Sequence, residues 1–170
     1  MTDSTKFYEV IQGLLFAGEC PWEIPMKNSH VIDLMSIGIR DFITLRDDVN
    51  IPQITSKMNG LCFDFSLLQY PIRDFSVPES DMLEEILDIL QENIKSHKTT
   101  YVSCAKGLGR TGLVISCFLA DYYRISNEKA LKLMNEKRIH GMFQIDSDSP
   151  ETQEQINYVI LRLSKDSHAS

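Results

Sequence analysis

One cysteine, one arginine and two glycines lie in the short segment Cys104-Ala105-Lys106-Gly107-Leu108-Gly109-Arg110, which Thr111-Gly112 follow directly. Glycines let a loop turn its backbone N–H groups inward. An arginine guanidinium can bind two phosphate oxygens at once. A cysteine thiolate beneath a phosphate held in this way is an activated nucleophile. The segment therefore predicts a loop that binds a phosphate ester and attacks its phosphorus.

The elements on either side of this segment are predicted to be a strand and a helix. Residues 99–102 are typical of a buried strand, and residues 113–120 are apolar on every face, as in a helix inside a core. The loop would then open onto a helix N-terminus, whose free N–H groups and dipole favour a bound phosphate and a thiolate at Cys104. The residues expected to bind the phosphate are Ala105, Lys106, Gly107, Leu108, Gly109 and Arg110. The hydroxyl of Thr111 is expected to hydrogen-bond to the sulfur of Cys104.

The Cys-x5-Arg-Thr-Gly pattern of residues 104–112 resembles the signature of the cysteine-dependent protein tyrosine phosphatases. The length and the flanking segments look like the dual-specificity branch, and the resemblance covers about residues 14–163. Ser103 stands where such proteins usually have histidine. The resemblance implies an enzyme that hydrolyses phosphotyrosine through a phosphocysteine intermediate, with phosphoserine and phosphothreonine as further substrates of the class.

A second segment, residues 70–78, carries two prolines around an aspartate and predicts a stiffened loop rather than a helix or strand. The oxygen that leaves phosphorus needs a proton, which one carboxylic acid near the pocket would supply. The segment resembles the acid-bearing loop of dual-specificity phosphatases, and this resemblance implies that Asp74 is the general acid. The other candidate acids are Asp47, Asp48, Asp146 and Asp148.

The last helix is predicted to begin at Ser149-Pro150-Glu151, where a capping hydroxyl is followed by proline and an early acid. Gln155 falls next to the apolar stripe of this helix, which suits a boundary residue as well as a site residue. Its segment resembles the glutamine-bearing segment that positions the hydrolytic water in related phosphatases. This resemblance implies a catalytic role for Gln155, with Gln153 as the second candidate.

The other patterns predict strands at residues 14–18, 42–45 and 62–65, and helices beginning near residues 28, 78 and 126, whereas residues 47–59 give no clear pattern. Strands that alternate with helices predict an α/β fold of three layers, with a mainly parallel central sheet flanked by helices. In such a fold the ligand lies at the carboxyl ends of the strands. No linker or repeat is visible, so we expect a single phosphatase domain over residues 1–170, with its core at about 14–163.

Composition narrows the possible partners. A net charge of −7 argues against a nucleic-acid partner. No apolar run approaches the roughly 18 residues of a membrane span, and no secretory signal pattern is present. Four scattered cysteines fit a reducing cytoplasm, and no metal-ligand spacing is seen, so no metal or other cofactor is expected. The expected partner is a phosphorylated protein, and the sequence leaves the oligomeric state open.

Three other classes of protein remain open. A phosphoinositide or inositol-phosphate phosphatase would use the same loop with more basic residues, and Lys106 is the loop's only lysine. A pseudophosphatase that only binds phosphoproteins is disfavoured by the presence of Cys104, Asp74 and Arg110 together. An arsenate reductase or sulfurtransferase would use the loop thiolate, and a reductase would need a resolving cysteine close to it. The candidates for that cysteine are Cys20, Cys62 and Cys117.

Overall fold

A mixed sheet separates two layers of helices in the computed structural model, which describes residues 5–22, 28–61, 63–141 and 147–163. The strands are β1 (Phe7–Ile11), β2 (Leu15–Gly18), β3 (Asp41–Arg46), β4 (Ser66–Ile72) and β5 (Thr100–Ser103). Their order in the sheet is β1-β2-β5-β3-β4, with β1 antiparallel to β2 and every other pair parallel. The sequence-based prediction of a mainly parallel sheet is therefore confirmed.

The helices are α1 (Asn28–Ser36), α2 (Ile51–Asn59), α3 (Ser80–Lys95), α4 (Gly109–Tyr123), α5 (Asn127–His140) and α6 (Gln153–Leu161). Successive side chains of β5 point to opposite faces of the sheet. Tyr101 packs with the buried residues of α1 and α2, whereas Val102 packs with those of α3, α4, α5 and α6. These two cores make the three layers of the predicted fold. None of the helices in the described ranges is both long and apolar enough to cross a membrane.

Helix α2 lies in the stretch for which no helix or strand is predicted. Asn50 caps it, since its side-chain oxygen accepts a hydrogen bond from the N–H of Gln53 at 3.0 Å. Ile54 and Met58, four residues apart, are its buried residues. This i, i+4 spacing and the Asn50 cap are helical signals that the sequence does contain, so the interpretation that residues 51–59 give no clear pattern is wrong.

The strand predicted at residues 62–65 is wrong for the part that the structure describes. Residues 63–65 have no regular structure, Cys62 lies outside the described residues, and β4 begins only at Ser66 and continues to Ile72. Its last residues fall in the stretch that is predicted to be a loop because of Pro71. β4 is an edge strand of the sheet, where proline is tolerated because an edge position can leave its missing N–H without a partner.

Candidate active site

The segment predicted to bind phosphate (residues 104–110, called the phosphate-binding loop below) leads from β5 into α4 at the carboxyl ends of the parallel strands. Cys104 follows β5 directly and is buried. Gly107 has a φ of +72°, and a Cβ atom at this position would come within 2.7 Å of the backbone nitrogen of Glu19, so only glycine fits. The N–H of Cys20 donates to the carbonyl of Ala105 at 3.0 Å. The loop is thus packed tightly against the residues that follow β2.

The N-terminus of α4 is buried and has no capping side chain from its own N-cap residue, Leu108. The N–H groups of a first helical turn have no partner within the helix. One of them, the N–H of Gly109, donates to a carboxylate oxygen of Glu151 at 3.1 Å. Gly109 was predicted to offer this N–H to a phosphate, whereas in the structure Glu151 accepts it. The sequence indicates the acid at position 151 only as part of a helix start.

The side chain of Arg110 is buried and contacts three groups, one at the end of β4 and two on the loops that follow β3 and β4. Nη1 donates to the carbonyl oxygen of Ile72 at 2.9 Å, and Nη2 lies 3.0 Å from Oδ1 of Asp74. A second carboxylate, that of Asp47, has its Oδ1 3.6 Å from Nη1. The structure therefore brings the predicted arginine and the predicted acid together, and it adds a neighbouring aspartate.

Asp74 lies in the acid loop (residues 73–79), which leads from β4 to α3. The N–H of Ser76 donates to the carbonyl of Arg73 at 3.1 Å, so the loop makes a tight turn around Asp74. Phe75 has a φ of +59°, an unusual value for an aromatic residue, and its N–H donates to Oδ1 of Asp74 at 3.1 Å. Asp74 is exposed to solvent on one side and contacts Arg110 on the other. A carboxyl group in this position can reach a phosphate ester held by Arg110.

The other candidate acids differ in where they lie. Asp47 is next to Arg110, as described above. Asp48 makes two hydrogen bonds of 2.8 Å to Arg46, and these bonds hold the pKa of its carboxyl below the usual value. Asp148 is exposed, and Asp146 lies outside the described residues. Asp74 and Asp47 are therefore the two aspartates shown in contact with Arg110, the residue predicted to bind phosphate.

The prediction that the last helix starts at Ser149-Pro150 is wrong. The N-cap of α6 is Thr152, whose hydroxyl accepts a hydrogen bond from the N–H of Gln155 at 3.1 Å. Ser149 lies too far upstream to cap the helix, and its hydroxyl instead donates to the carbonyl of Leu108 at 2.8 Å. The helix begins later because Thr152 and Gln155 form a capping box, in which the Gln155 side chain also accepts the N–H of Thr152.

The remaining predicted groups are near the loop, but not all make the expected contacts. The hydroxyl of Thr111 is buried and has no hydrogen-bond partner among the described residues, so its predicted bond to the Cys104 sulfur is not formed here. Lys106 is exposed. Burial raises the pKa of the Cys117 thiol, inside α4, to about 12. Of the possible resolving cysteines, Cys20 contacts the loop through its backbone, Cys117 is in the core, and Cys62 is outside the described residues.

The arrangement suits attack on a phosphorus atom. It joins a cysteine, an arginine fork, an inward-curled loop and a helix N-terminus with a carboxyl group on a neighbouring loop. Such groups can hold an anion, attack it and protonate the oxygen that leaves. Within the described ranges, His, Cys, Asp and Glu side chains form no group of three or more that could hold a metal ion.

Comparison with protein families finds a match over residues 18–124 to the model described as "Tc-R-P: Polymorphic toxin system, DSP-PTPase phosphatase". Among curated proteins, the chain is 25% identical over 134 residues to phosphatidylglycerophosphate phosphatase PTPMT1 of Arabidopsis thaliana, covering 78% of this chain and 38% of that protein. It is 39% identical over 69 residues to dual specificity protein phosphatase CDC14B of Mus musculus, covering 41% of this chain and 13% of that protein. The chain thus spans less than half the length of these relatives.

The fold also matches solved structures. A crystal structure of Tk-PTP in the active form superposes with a TM-score of 0.69 over 96% of this chain and 100% of the other, at 23% sequence identity. At this level of identity the likeness establishes the fold. It supports the three-layer arrangement that the sheet and the two helical layers define.

Proposed function

Since the chain belongs to the DSP-PTPase phosphatases, a dual-specificity branch of the cysteine-dependent phosphatases, we propose that it hydrolyses phosphotyrosine in proteins through a phosphocysteine intermediate. Phosphoserine and phosphothreonine are the further substrates of this class. The observation that carries the proposal is the contact between Arg110 and Asp74, at 3.0 Å, beside the loop that begins with Cys104. This contact brings the proposed phosphate ligand and the proposed general acid to one point.

In the first step, the loop N–H groups and the Arg110 guanidinium bind the phosphate and stabilise the charge on its oxygens in the transition state. The thiolate of Cys104 attacks phosphorus and forms the S–P bond as the P–O bond to the tyrosine breaks. Asp74 gives its proton to the leaving phenolate oxygen. Because the Asp74 side chain is 56% exposed and lies on a loop, a phosphate can take its place beside Arg110 while Asp74 stays close to the leaving oxygen.

In the second step, Asp74 is a carboxylate and acts as a base on a water molecule, whose oxygen attacks phosphorus. The S–P bond breaks and returns the electron pair to Cys104, and Thr111 has a free hydroxyl to stabilise the thiolate. The assignment of Gln155 to align this water remains a prediction. Cys104 can attack phosphorus only while it is reduced and not part of a disulfide. We therefore also propose that the protein acts in a reducing compartment such as the cytoplasm.

The nucleophile is tested by Cys104→Ser. Turnover of a phosphotyrosine peptide should fall by about a thousandfold or more, while the peptide should still bind because the loop amides and Arg110 are unchanged. Cys117→Ala is the matched control, since Cys117 is a buried thiol inside α4 and away from the loop. Appreciable turnover by purified Cys104→Ser protein, with its mass confirmed, would exclude covalent catalysis by this cysteine.

A phosphoinositide or another phospholipid is the second candidate substrate class. It is favoured by the likeness to a phosphatidylglycerophosphate phosphatase. Lys106 is exposed on the loop and is the one lysine within it that could contact a second phosphate. The discriminating experiment is a panel of phosphotyrosine, phosphoserine and phosphoinositide substrates at equal concentration. The proposal predicts the highest kcat/KM for phosphotyrosine, and a preference for the phosphoinositide would replace the protein substrate with a lipid one.

A further inference from the structure

The connecting segment (residues 149–155) touches both loops that are proposed to carry the chemistry. It precedes α6 and includes the first turn of that helix. Side chains from this segment hydrogen-bond to the backbone of the phosphate-binding loop at one end and of the acid loop at the other. The connecting segment is thus the part of the chain whose contacts span the two loops.

Two contacts fix the connecting segment to the phosphate-binding loop. The hydroxyl of Ser149 donates to the carbonyl of Leu108 at 2.8 Å, and a Glu151 carboxylate oxygen accepts the N–H of Gly109 at 3.1 Å. A Cβ atom at Gly109 would lie 2.6 Å from that oxygen and 3.0 Å from Oε1 of Gln155. The side chains of Glu151 and Gln155 therefore pack directly against the loop backbone.

Gln155 links the connecting segment to the acid loop through hydrogen bonds of its side-chain amide. Its Oε1 accepts the N–H groups of Glu151 at 3.1 Å and of Thr152 at 3.3 Å, and its Nε2 donates to the carbonyl of Ser76 at 3.0 Å. Ser76 lies two residues beyond Asp74. The Gln155 side chain is fully buried, and both lone pairs of its amide oxygen are in use. A buried amide with these partners is held in one orientation, because leaving any of them unpaired in the interior is costly.

We propose that Gln155 is a positioning residue for the general acid: with Glu151, it ties the acid loop to the phosphate-binding loop and so sets the place of Asp74 relative to the phosphate. The inference rests on the proposed function and deepens it. This first-step role is separate from aligning the water in the second step. Both lone pairs of the Gln155 oxygen are in use and one of its two N–H groups is bonded to Ser76, so the other N–H is the group left to contact a water molecule. The expected consequence of losing Gln155 is a displaced acid, so the proton transfer to the leaving oxygen suffers first.

The test uses three variants of the full chain. Gln155→Met keeps the length of the side chain and removes its three hydrogen bonds. Gln155→Glu keeps the oxygen that accepts from Glu151 and Thr152 and changes the group that faces Ser76. Thr152→Ala is the matched control, since it removes the cap of α6 and leaves the bond between Gln155 and Ser76 in place.

The measurement is kcat/KM for a phosphotyrosine peptide and for an aryl phosphate with an acidic leaving group. Misplacing a catalytic group by about 1 Å costs roughly a hundredfold. Gln155→Met should therefore slow the peptide by roughly ten- to a hundredfold and the acidic aryl phosphate by less than about threefold, because a good leaving group needs little help from an acid. Thr152→Ala should slow both substrates by the same small factor.

Gln155→Glu gives a second readout if Gln155→Met folds poorly. A protonated carboxyl group can donate to the carbonyl of Ser76, whereas an ionised one cannot. Its activity on the peptide relative to wild type should therefore rise as the pH falls. A ratio that does not change with pH would contradict the positioning role.

Two further results would overturn this inference. A loss of kcat that is equal for both substrates, with kcat/KM unchanged and phosphocysteine accumulating, would place Gln155 in the second step as the water-aligning group. Losses in Gln155→Met no larger than in Thr152→Ala would make it a structural residue. The wild-type protein in the same assay separates the two proposals, because absence of wild-type turnover would refute the proposed function itself, whereas normal turnover with an unchanged leaving-group dependence in Gln155→Met would refute the positioning role alone.

Discussion

Two buried arginines in this protein each contact two carboxylates, and the two clusters differ in how their partners are held. Arg162, at the end of α6, makes four hydrogen bonds of 2.8–3.2 Å to Glu84 of α3 and Asp121 of α4. Arg110, in the first turn of α4, has single contacts of 3.0 and 3.6 Å to Asp74 and Asp47. The side chains of Asp121 and Glu84 are 6% and 30% exposed, whereas those of Asp74 and Asp47 are 56% and 44% exposed.

We propose that the difference separates a structural ion pair from one that takes part in catalysis. The partners of Arg162 lie on helices and accept from four of the five N–H donors of its guanidinium, so this cluster ties the end of α6 to α3 and α4. The partners of Arg110 lie on loops and leave it with few bonds, although the arginine itself is only 3% exposed. A buried cation with exposed partners on loops can accept a phosphate in their place, which the Arg162 cluster cannot do.

The different roles of Arg110 and Arg162 are tested by changing each arginine to lysine. Lysine keeps the charge and loses the two-point fork. Arg110→Lys should lower kcat/KM for a phosphotyrosine peptide by roughly a thousand- to hundred-thousand-fold, with little change in the urea midpoint of unfolding. Arg162→Lys should lower the free energy of unfolding by about 1–3 kcal/mol and leave kcat/KM within a few-fold of wild type.

Steady-state kinetics and urea unfolding of the Arg110→Lys and Arg162→Lys variants show which arginine serves activity and which serves stability. If Arg110→Lys loses stability and keeps activity, or Arg162→Lys loses activity and keeps stability, the assignment of the two clusters is reversed. Wild-type turnover by Arg110→Lys would show that a bidentate clamp is not needed.

The next largest effect concerns the two aspartates beside Arg110. Asp74→Asn keeps the size of the side chain and removes the acid, so it should slow phosphotyrosine hydrolysis by roughly a hundred- to ten-thousand-fold. The loss should shrink along a series of aryl phosphates as the leaving group becomes more acidic. Asp47→Asn is the matched control, because Asp47 contacts the same guanidinium without being the proposed acid.

Rate ratios of wild type to variant across that series give the answer. A ratio for Asp74→Asn that is constant along the series would show that Asp74 does not protonate the leaving oxygen. A ratio for Asp47→Asn that depends on the leaving group would move the general acid to Asp47, which the sequence leaves as an alternative.

The features that the sequence predicts well are local in the chain. Cys104 and Arg110 lie on one short segment that runs from the end of a strand into the first turn of a buried helix, so this segment carries both their identity and their position. The three-layer fold follows from the alternation of strands and helices in the same way. Asp74 stays a prediction as the general acid; it rests on the prolines that mark its loop and on the resemblance of this loop to that of a known family, and the structure places it beside Arg110.

The features that the sequence does not reveal depend on tertiary contacts. Glu151 reaches Gly109 across 42 residues, and Gln155 reaches Ser76 across 79. Neither contact leaves a periodic pattern, since each depends on how α6 packs beside α4 and the acid loop. The prediction that residues 70–72 belong to a loop is wrong for a related reason. They form the end of β4, and the position of β4 at the edge of the sheet makes Pro71 compatible with a strand.

The most direct test of the account is to find where the phosphoryl group is attached during turnover. Asp74→Asn protein is mixed with an aryl phosphate that has an acidic leaving group, quenched in acid within milliseconds, digested and analysed by mass spectrometry. Loss of the base should slow breakdown of the intermediate. We therefore expect a phosphoryl group on the peptide that contains Cys104, and none in the Cys104→Ser, Asp74→Asn double variant. A phosphoryl group on another residue, or turnover with no phosphorylated Cys104 at any time point, would contradict it.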